Sequence, residues 1–118
     1  SGPLKECAVV VVDFHAEATS EKVAFGRYVD GRASVVFGTH THVETADERI
    51  LAGGTAYVSD VGMCGSRAGV IGMRYDLALR RLREALPASY ESAEGEEQVT
   101  GIFVTVESSS GHSQEIQR

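Results

Sequence analysis

Three histidines stand where imidazole could do chemistry. His15 follows a β-branched apolar run, Ala8 to Val12, by way of Asp13 and Phe14. His40 and His42 follow a second such run, Ala33 to Phe37, by way of Gly38 and Thr39. Ligand sites in open α/β sheets gather at the carboxyl ends of strands, so two neighbouring strands ending in histidine would converge on one point. In an extended segment, side chains two residues apart lie on the same side. His40 and His42 would then face one cation, or one each of two close cations. Gly38 would let the chain turn sharply into the site. Imidazole suits Zn, Fe, Mn or Ni better than Ca or Mg. A His-x-His pair alone is common in soluble proteins without metal; His15 at a second strand end is what points to one. His112 sits in a polar turn and reads as solvated.

Carboxylates are the scarcer half of the set. Two-metal hydrolytic sites hold their ions about 3.5–4 Å apart and need anionic ligands to offset the repulsion. Asp13 and Asp60 lie at strand ends and could supply one, although each also reads as a cap or loop hydrogen-bonder. Glu17, Glu44 and Asp47 read as solvated. The residues alone thus describe an incomplete dinuclear site. Cys64, with Ser66 and Arg67 in a glycine-rich loop, lacks the spacing of a phosphate-binding loop. No G-x-S-x-G nucleophile elbow is present.

The elements that must position the histidines follow from periodicity. Ala8–Val12 predicts a strand covered on both faces. Thr19 or Ser20 would cap a helix whose apolar face is Ala24, Phe25, Tyr28 and Val29, ended by Asp30-Gly31. Ala33–Phe37 and Thr55–Ser59 predict two more strands, with Val43–Leu51 as a loop or short helix between them. Residues 62 to 72 hold four glycines and read as a loop. Asp76 would cap a second helix with Leu79, Leu82 and Leu86 on one face, stopped by Pro87. Val99–Val106 and Gln114–Gln117 predict an antiparallel hairpin around Ser108–Gly111. The expected class is α/β, with a mixed sheet and antiparallel strands at the C-terminal end.

Composition narrows the partners. A net charge of −6 argues against a general nucleic-acid or membrane-surface binder, since both surfaces are anionic. A small phosphate substrate is still allowed, because a bound cation reverses the local field. No apolar run approaches the ~20 residues of a membrane span, and no signal peptide is visible. Two distant cysteines, Cys7 and Cys64, fit a reduced, cytoplasmic protein. The start at Ser1, without Met, reads as a processed, tagged or partial product.

Longer motifs then add a resemblance. Val12-Asp-Phe-His-Ala-Glu-Ala-Thr-Ser-Glu-Lys22, Asp30-Gly-Arg32, Gly38-Thr-His-Thr-His-Val43, Thr45-Ala-Asp47, Gly54-Thr-Ala-Tyr57 and Asp60-Val-Gly-Met63 resemble the YmdB-type metallophosphoesterases of the calcineurin-like superfamily. The resemblance runs over essentially the whole chain. It implies half of a β-sandwich flanked by helices, around two metal ions, iron or manganese with zinc as the alternative. It also implies phosphodiester hydrolysis by a metal-bound hydroxide, with cyclic nucleotides such as 2′,3′-cAMP as substrates. His15, His40 and His42 match the three histidine ligands of the family's second half.

Two departures stand out. The family domain carries a preceding half with an Asp, a bridging Glu, Asn ligands and the His that protonates the leaving group. After Met63 the family reads close to Thr-Gly-Pro-Tyr, whereas this chain has Cys64-Gly-Ser-Arg67. Residues 1–118 are therefore expected to be the C-terminal portion of the domain, weakly active or inactive alone. They are also expected to form a homo-oligomer or to pair with a complementary N-terminal half. The rival readings are a CapA-like metallophosphatase portion, a non-catalytic metal-binding or assembly module, and a structural domain without metal.

Overall fold

The computed structural model describes residues 6–118. The Ser1 start lies outside them. The chain separates into two compact units. The first holds the described residues up to Gly62 together with Gly101–Arg118; the second is Met63–Thr100.

The first unit is built on a four-stranded mixed sheet in the order β1-β2-β4-β3, where β1 is Val11–His15, β2 Val35–Thr39, β3 Arg49–Ile50 and β4 Ala56–Val58. β1, β2 and β4 are parallel, and β3 runs antiparallel to β4. Parallel strands need a crossover, and helix α1, Thr19–Tyr28, supplies it between β1 and β2. The register sets His15 opposite Thr39. The carboxyl ends of β1, β2 and β4 therefore share one edge, as the sequence implies.

The core is small: Val35, Val36, Ala56, Tyr57 and Val58 are buried on the inner strands, with Ala33 beside them. Strand β1 differs from expectation. It begins later, at Val11, and alternates between exposed and half-buried residues instead of being covered on both faces. Its position at the sheet edge explains the difference, and leaves Val11 58% exposed.

Helix α1 is also seated otherwise than its apolar stripe predicts. Its buried residues are Lys22 and Gly26, four apart and so on one face, while Ala24 and Tyr28 are exposed. A Cβ at Gly26 would lie 2.5 Å from Tyr57 Cδ2, so only glycine lets the helix rest on that ring. Phe25 instead stacks on Phe14, with ring centroids 4.3 Å apart. Neither Thr19 nor Ser20 caps the helix; Ala18 holds that position and makes no side-chain bond.

The predicted hairpin forms as β7, Phe103–Val106, with β8, Ser113–Gln117. Ser113 ties it to the main sheet by donating its N–H to Gly54 O at 2.8 Å and its hydroxyl to Ser34 O at 2.7 Å. The Val43–Leu51 stretch forms no helix; its regular part is β3.

In the second unit the glycine-rich stretch is not all loop. Gly65–Ser66 form β5, antiparallel to β6, Glu97–Gln98. Helix α2 spans Tyr75–Glu84. Arg74 precedes it, and Asp76 lies inside its first turn, bonded to the Arg74 guanidinium instead of capping. Ala78 is its one buried residue; Leu82 is 79% and Leu86 53% exposed. Of the predicted leucine face, Leu79 is half-buried, whereas Leu82 stands open and Leu86 lies past the helix end. No helix among the described residues is long and apolar enough to cross a membrane.

Candidate metal centre

His15 and His40 meet at the carboxyl edge of the sheet. His15 Nε2 lies 3.1 Å from His40 Nδ1, with the rings nearly perpendicular at 86°. The other nitrogen of His15 has a defined partner. Thr39 donates its single hydroxyl proton to Asp13 Oδ1 at 2.7 Å. Its oxygen can then only accept from His15, whose Nδ1 lies 3.0 Å away. His15 Nδ1 therefore carries the proton, and in the neutral ring Nε2 presents a lone pair towards His40. An outer partner that fixes tautomer and ring orientation is the usual support of a histidine metal ligand.

The spacing suits a shared ion. Two nitrogens bound to one cation at about 2.0–2.1 Å sit about 2.8–3.4 Å from each other, and 3.1 Å falls in that range. Both rings are exposed, which leaves room for a cation and further ligands. The pair fits two positions of a coordination sphere and no more. Among the described residues, no group of three or more His, Cys, Asp or Glu side chains is gathered as a metal cluster. His42 thus does not complete a trio with His15 and His40.

The reason lies in the backbone. The expectation that His40 and His42 share a side assumed an extended segment. Instead both have positive φ, 118° at His40 and 66° at His42. Non-glycine residues in that region cost about 1–3 kcal/mol each and persist only where the surroundings impose them. The i, i+2 relation of a strand does not hold through such a turn.

Gly38 also acts otherwise than predicted. It lies within β2, and its φ is not positive. What it provides is space: a Cβ there would collide with the Ser59 carbonyl oxygen and lie 2.9 Å from Lys22 Cδ.

Asp60 and Asp47 are structural carboxylates in this unit. Asp60 is fully buried and paired with Lys22, Nζ to Oδ2 at 3.0 Å; it also accepts the N–H groups of Thr41 and Gly62, both at 2.9 Å. Asp47, read as solvated, accepts the Ser59 N–H at 3.1 Å and the hydroxyls of Thr45 and Ser59. Ser59 Oγ in turn meets the buried Tyr57 hydroxyl at 3.0 Å. Sequence reasoning missed Thr39, Lys22 and this role of Asp47. For Lys22 a signal existed: it shares a helix face with two small residues, Ala18 and Gly26, an arrangement suited to close packing.

These carboxylates make stability pH-dependent. Burial pushes both upward, but the hydrogen bonds outweigh it: from Ser59 and Thr45 at Asp47, and from Thr41, Gly62 and Lys22 at Asp60. Both end below the ordinary carboxylate range. A depressed folded-state pKa gives stability that is fully present above the unfolded value, about 3.9, and is lost as pH falls through the folded value. Urea unfolding should thus give a nearly constant midpoint from pH about 7 to about 5 and a falling one below about 4. Asp47→Asn should flatten the acid limb. Equal midpoints at pH about 5 and about 3 would contradict the depressed values.

Elsewhere, Asp13 is spent on Thr39, and His112 is exposed beside Gly54, as its polar turn implies. In the second unit the Cys64 loop is internally bonded. Cys64 Sγ donates to Thr100 O at 3.5 Å, and Ser66 Oγ donates to Gly95 O while accepting the Ala68 N–H.

The YmdB-like protein family matches residues 3–118. A Bacillus subtilis (strain 168) protein named 2′,3′-cyclic-nucleotide 2′-phosphodiesterase is 46% identical over 114 residues, covering 97% of this chain and 43% of the relative. Two solved structures share the fold. One is a hypothetical protein from Thermus thermophilus, at TM-score 0.83 and 40% identity, covering 96% of this chain and 45% of that one. The other is described as a novel phosphatase from Mycoplasma pneumoniae, at TM-score 0.89 and 35% identity, covering 99% and 45%. The chain spans less than half the length of each of these proteins. It is, by the near-complete match of its residues, a member of the YmdB-like family.

Proposed function

We propose that this chain carries the histidine side of a divalent-metal centre that hydrolyses phosphodiesters, with a cyclic nucleotide or similar small phosphodiester as substrate. The carrying observation is the His15–His40 pair, its nitrogens 3.1 Å apart and its His15 tautomer set through Thr39 and Asp13. His15 Nε2 and His40 Nδ1 would hold one ion, and His42 would serve a second. Iron or manganese fits the proposal, with zinc as the alternative. The bound metal would supply Lewis acidity and an activated water. This chain's own residues bind and orient: Thr39 keeps a proton on His15 Nδ1, so that the ring ligates through the other nitrogen.

The anionic ligands and the general acid would come from a complementary half, and until then turnover would be weak. A homo-oligomer, or pairing with that half, would cover the open edge of β1. The sparse cysteine usage agrees with the cytoplasm as the site of action.

The test uses the purified chain, Mn²⁺ or Co²⁺ titration, and hydrolysis of bis-p-nitrophenyl phosphate. The wild type should bind metal with little turnover. Outer-shell partners of a metal site usually count for about 10–100-fold in affinity. Thr39→Val should therefore weaken binding by about tenfold, and His15→Ala or His40→Ala by about 100-fold or more. Wild-type and His40→Ala chains binding alike would end the proposal. A non-catalytic module would bind metal and remain inactive even when the complementary half is supplied.

A further inference from the structure

The buried Lys22–Asp60 pair has no place in the chemistry above, yet it lies directly beneath the histidines. Lys22 is 2% exposed and Asp60 0%, and they are paired at 3.0 Å across 38 positions of sequence. Asp60 distributes its oxygens in a specific way. Oδ2 receives Lys22 Nζ and the Thr41 N–H, while Oδ1 receives the Gly62 N–H. Thr41 is the residue between His40 and His42, both of which have positive φ. The base of the turn is tied as well, since Val61 donates its N–H to Gly38 O at 3.0 Å. The Lys22 stem reaches Asp60 alongside Gly38, where no side chain stands in the way.

We propose that Lys22 and Asp60 are positioning residues for the histidine turn, Asp60 clamping the Thr41 amide so that His40 meets His15, and Lys22 holding the Asp60 carboxylate in place. The inference deepens the metal-centre reading and rests on it for its purpose. The geometry it asserts concerns this chain alone. A pair serving only stability would be replaceable by apolar side chains of similar size, often with neutral effect. A clamp would not be, because no apolar group accepts the Thr41 N–H.

The experiment compares the metal-stripped, isotope-labelled wild type with Lys22→Met/Asp60→Leu and Lys22→Met/Asp60→Asn. Three readouts are followed: amide exchange at Thr41, the nuclear Overhauser contact between the His15 and His40 rings, and Co²⁺ affinity. The leucine variant should keep the slow amides of β2 and β4 and lose at least about tenfold of the Thr41 protection. It should also lose the ring contact and weaken Co²⁺ binding by about tenfold or more, as an outer-shell partner would. The asparagine variant, which returns an acceptor, should restore most of the Thr41 protection and the ring contact.

Unchanged Thr41 exchange and ring contact in a folded leucine variant would overturn the inference. If that variant does not fold, the wild type still decides. A scalar coupling across the hydrogen bond from Thr41 ¹⁵N to Asp60 ¹³Cγ supports the clamp, and its absence overturns it. A wild type that binds no Co²⁺ would sink the metal reading, while the exchange and ring readouts would still judge the clamp.

Discussion

Asp60→Ala is expected to be among the most damaging single substitutions in the chain, lowering unfolding free energy by about 3–5 kcal/mol. The substitution leaves an ammonium group, 2% exposed, with no counter-charge. It also strips the Thr41 and Gly62 amides of their acceptor. Breaking a buried pair from one side costs more than the pair itself is worth, because the surviving charge stays desolvated. Set against a total stability of about 5–15 kcal/mol for a domain, the loss would remove a large share of it. Lys22→Met should cost less than Asp60→Ala, since the carboxylate it leaves behind keeps two backbone donors. Urea denaturation of the singles and of Lys22→Met/Asp60→Ala closes the cycle. The double variant should be more stable than Asp60→Ala, giving a coupling term well above about 0.5 kcal/mol. Additive losses would mean that the two side chains do not sense each other.

That pair also marks the limit of what the sequence discloses. The runs ending at His15 and His40 are legible as strands because β-branched residues cluster in them, and the shared edge follows from parallel pairing. The meeting of His15 with His40 follows from the same reasoning. What lies beneath is not legible. A lysine within a helix reads locally as solvent-facing, and Asp60 as a strand-end ligand, cap or loop hydrogen-bonder; only the crossover packing brings them together. Asp47 is hidden for the same reason: its partners, Ser59 and Thr45, are polar residues that carry no periodic signal. Two-residue strands such as β3, β5 and β6 are too short for alternation to appear. The leucine face of α2 shows the opposite failure. Its period is clear, yet Leu82 stays 79% exposed, because an amphipathic pattern specifies a face to be covered without specifying the cover. The side to which His42 turns is hidden too, since the alternation of a strand does not hold through residues of positive φ.

Gly38→Ala should rival the loss of Asp60, for a reason that involves no charge. Strands β2 and β4 pair in parallel, and just past the last paired residues Gly38 faces the Ser59 carbonyl so closely that a methyl group would collide with it. The same methyl would lie 2.9 Å from Lys22 Cδ. A flexible side-chain end could retreat from such a contact, but the Ser59 carbonyl cannot. It lies on backbone whose N–H is held by Asp47 and whose next residue is Asp60. Relief therefore requires β2 and β4 to separate at the edge where the histidines stand. Overpacking costs about 1–3 kcal/mol where neighbours adjust, and more where they do not. The expected loss here is about 3 kcal/mol or more, or about 10–15 °C in Tm for a domain of this size. Gly26→Ala is the informative contrast. Its clash is with the Tyr57 ring, at 2.5 Å from Cδ2, a side chain instead of backbone, and alanine recovers about 1 kcal/mol of helix propensity, so its loss should be the smaller of the two. Any Gly38→Ala protein that still folds should also lose the His15–His40 contact and the associated metal affinity, whereas Gly26→Ala should keep both. A Gly38→Ala chain with wild-type Tm and an intact ring contact would show that the close approach of the two strands is not what seats the histidine turn.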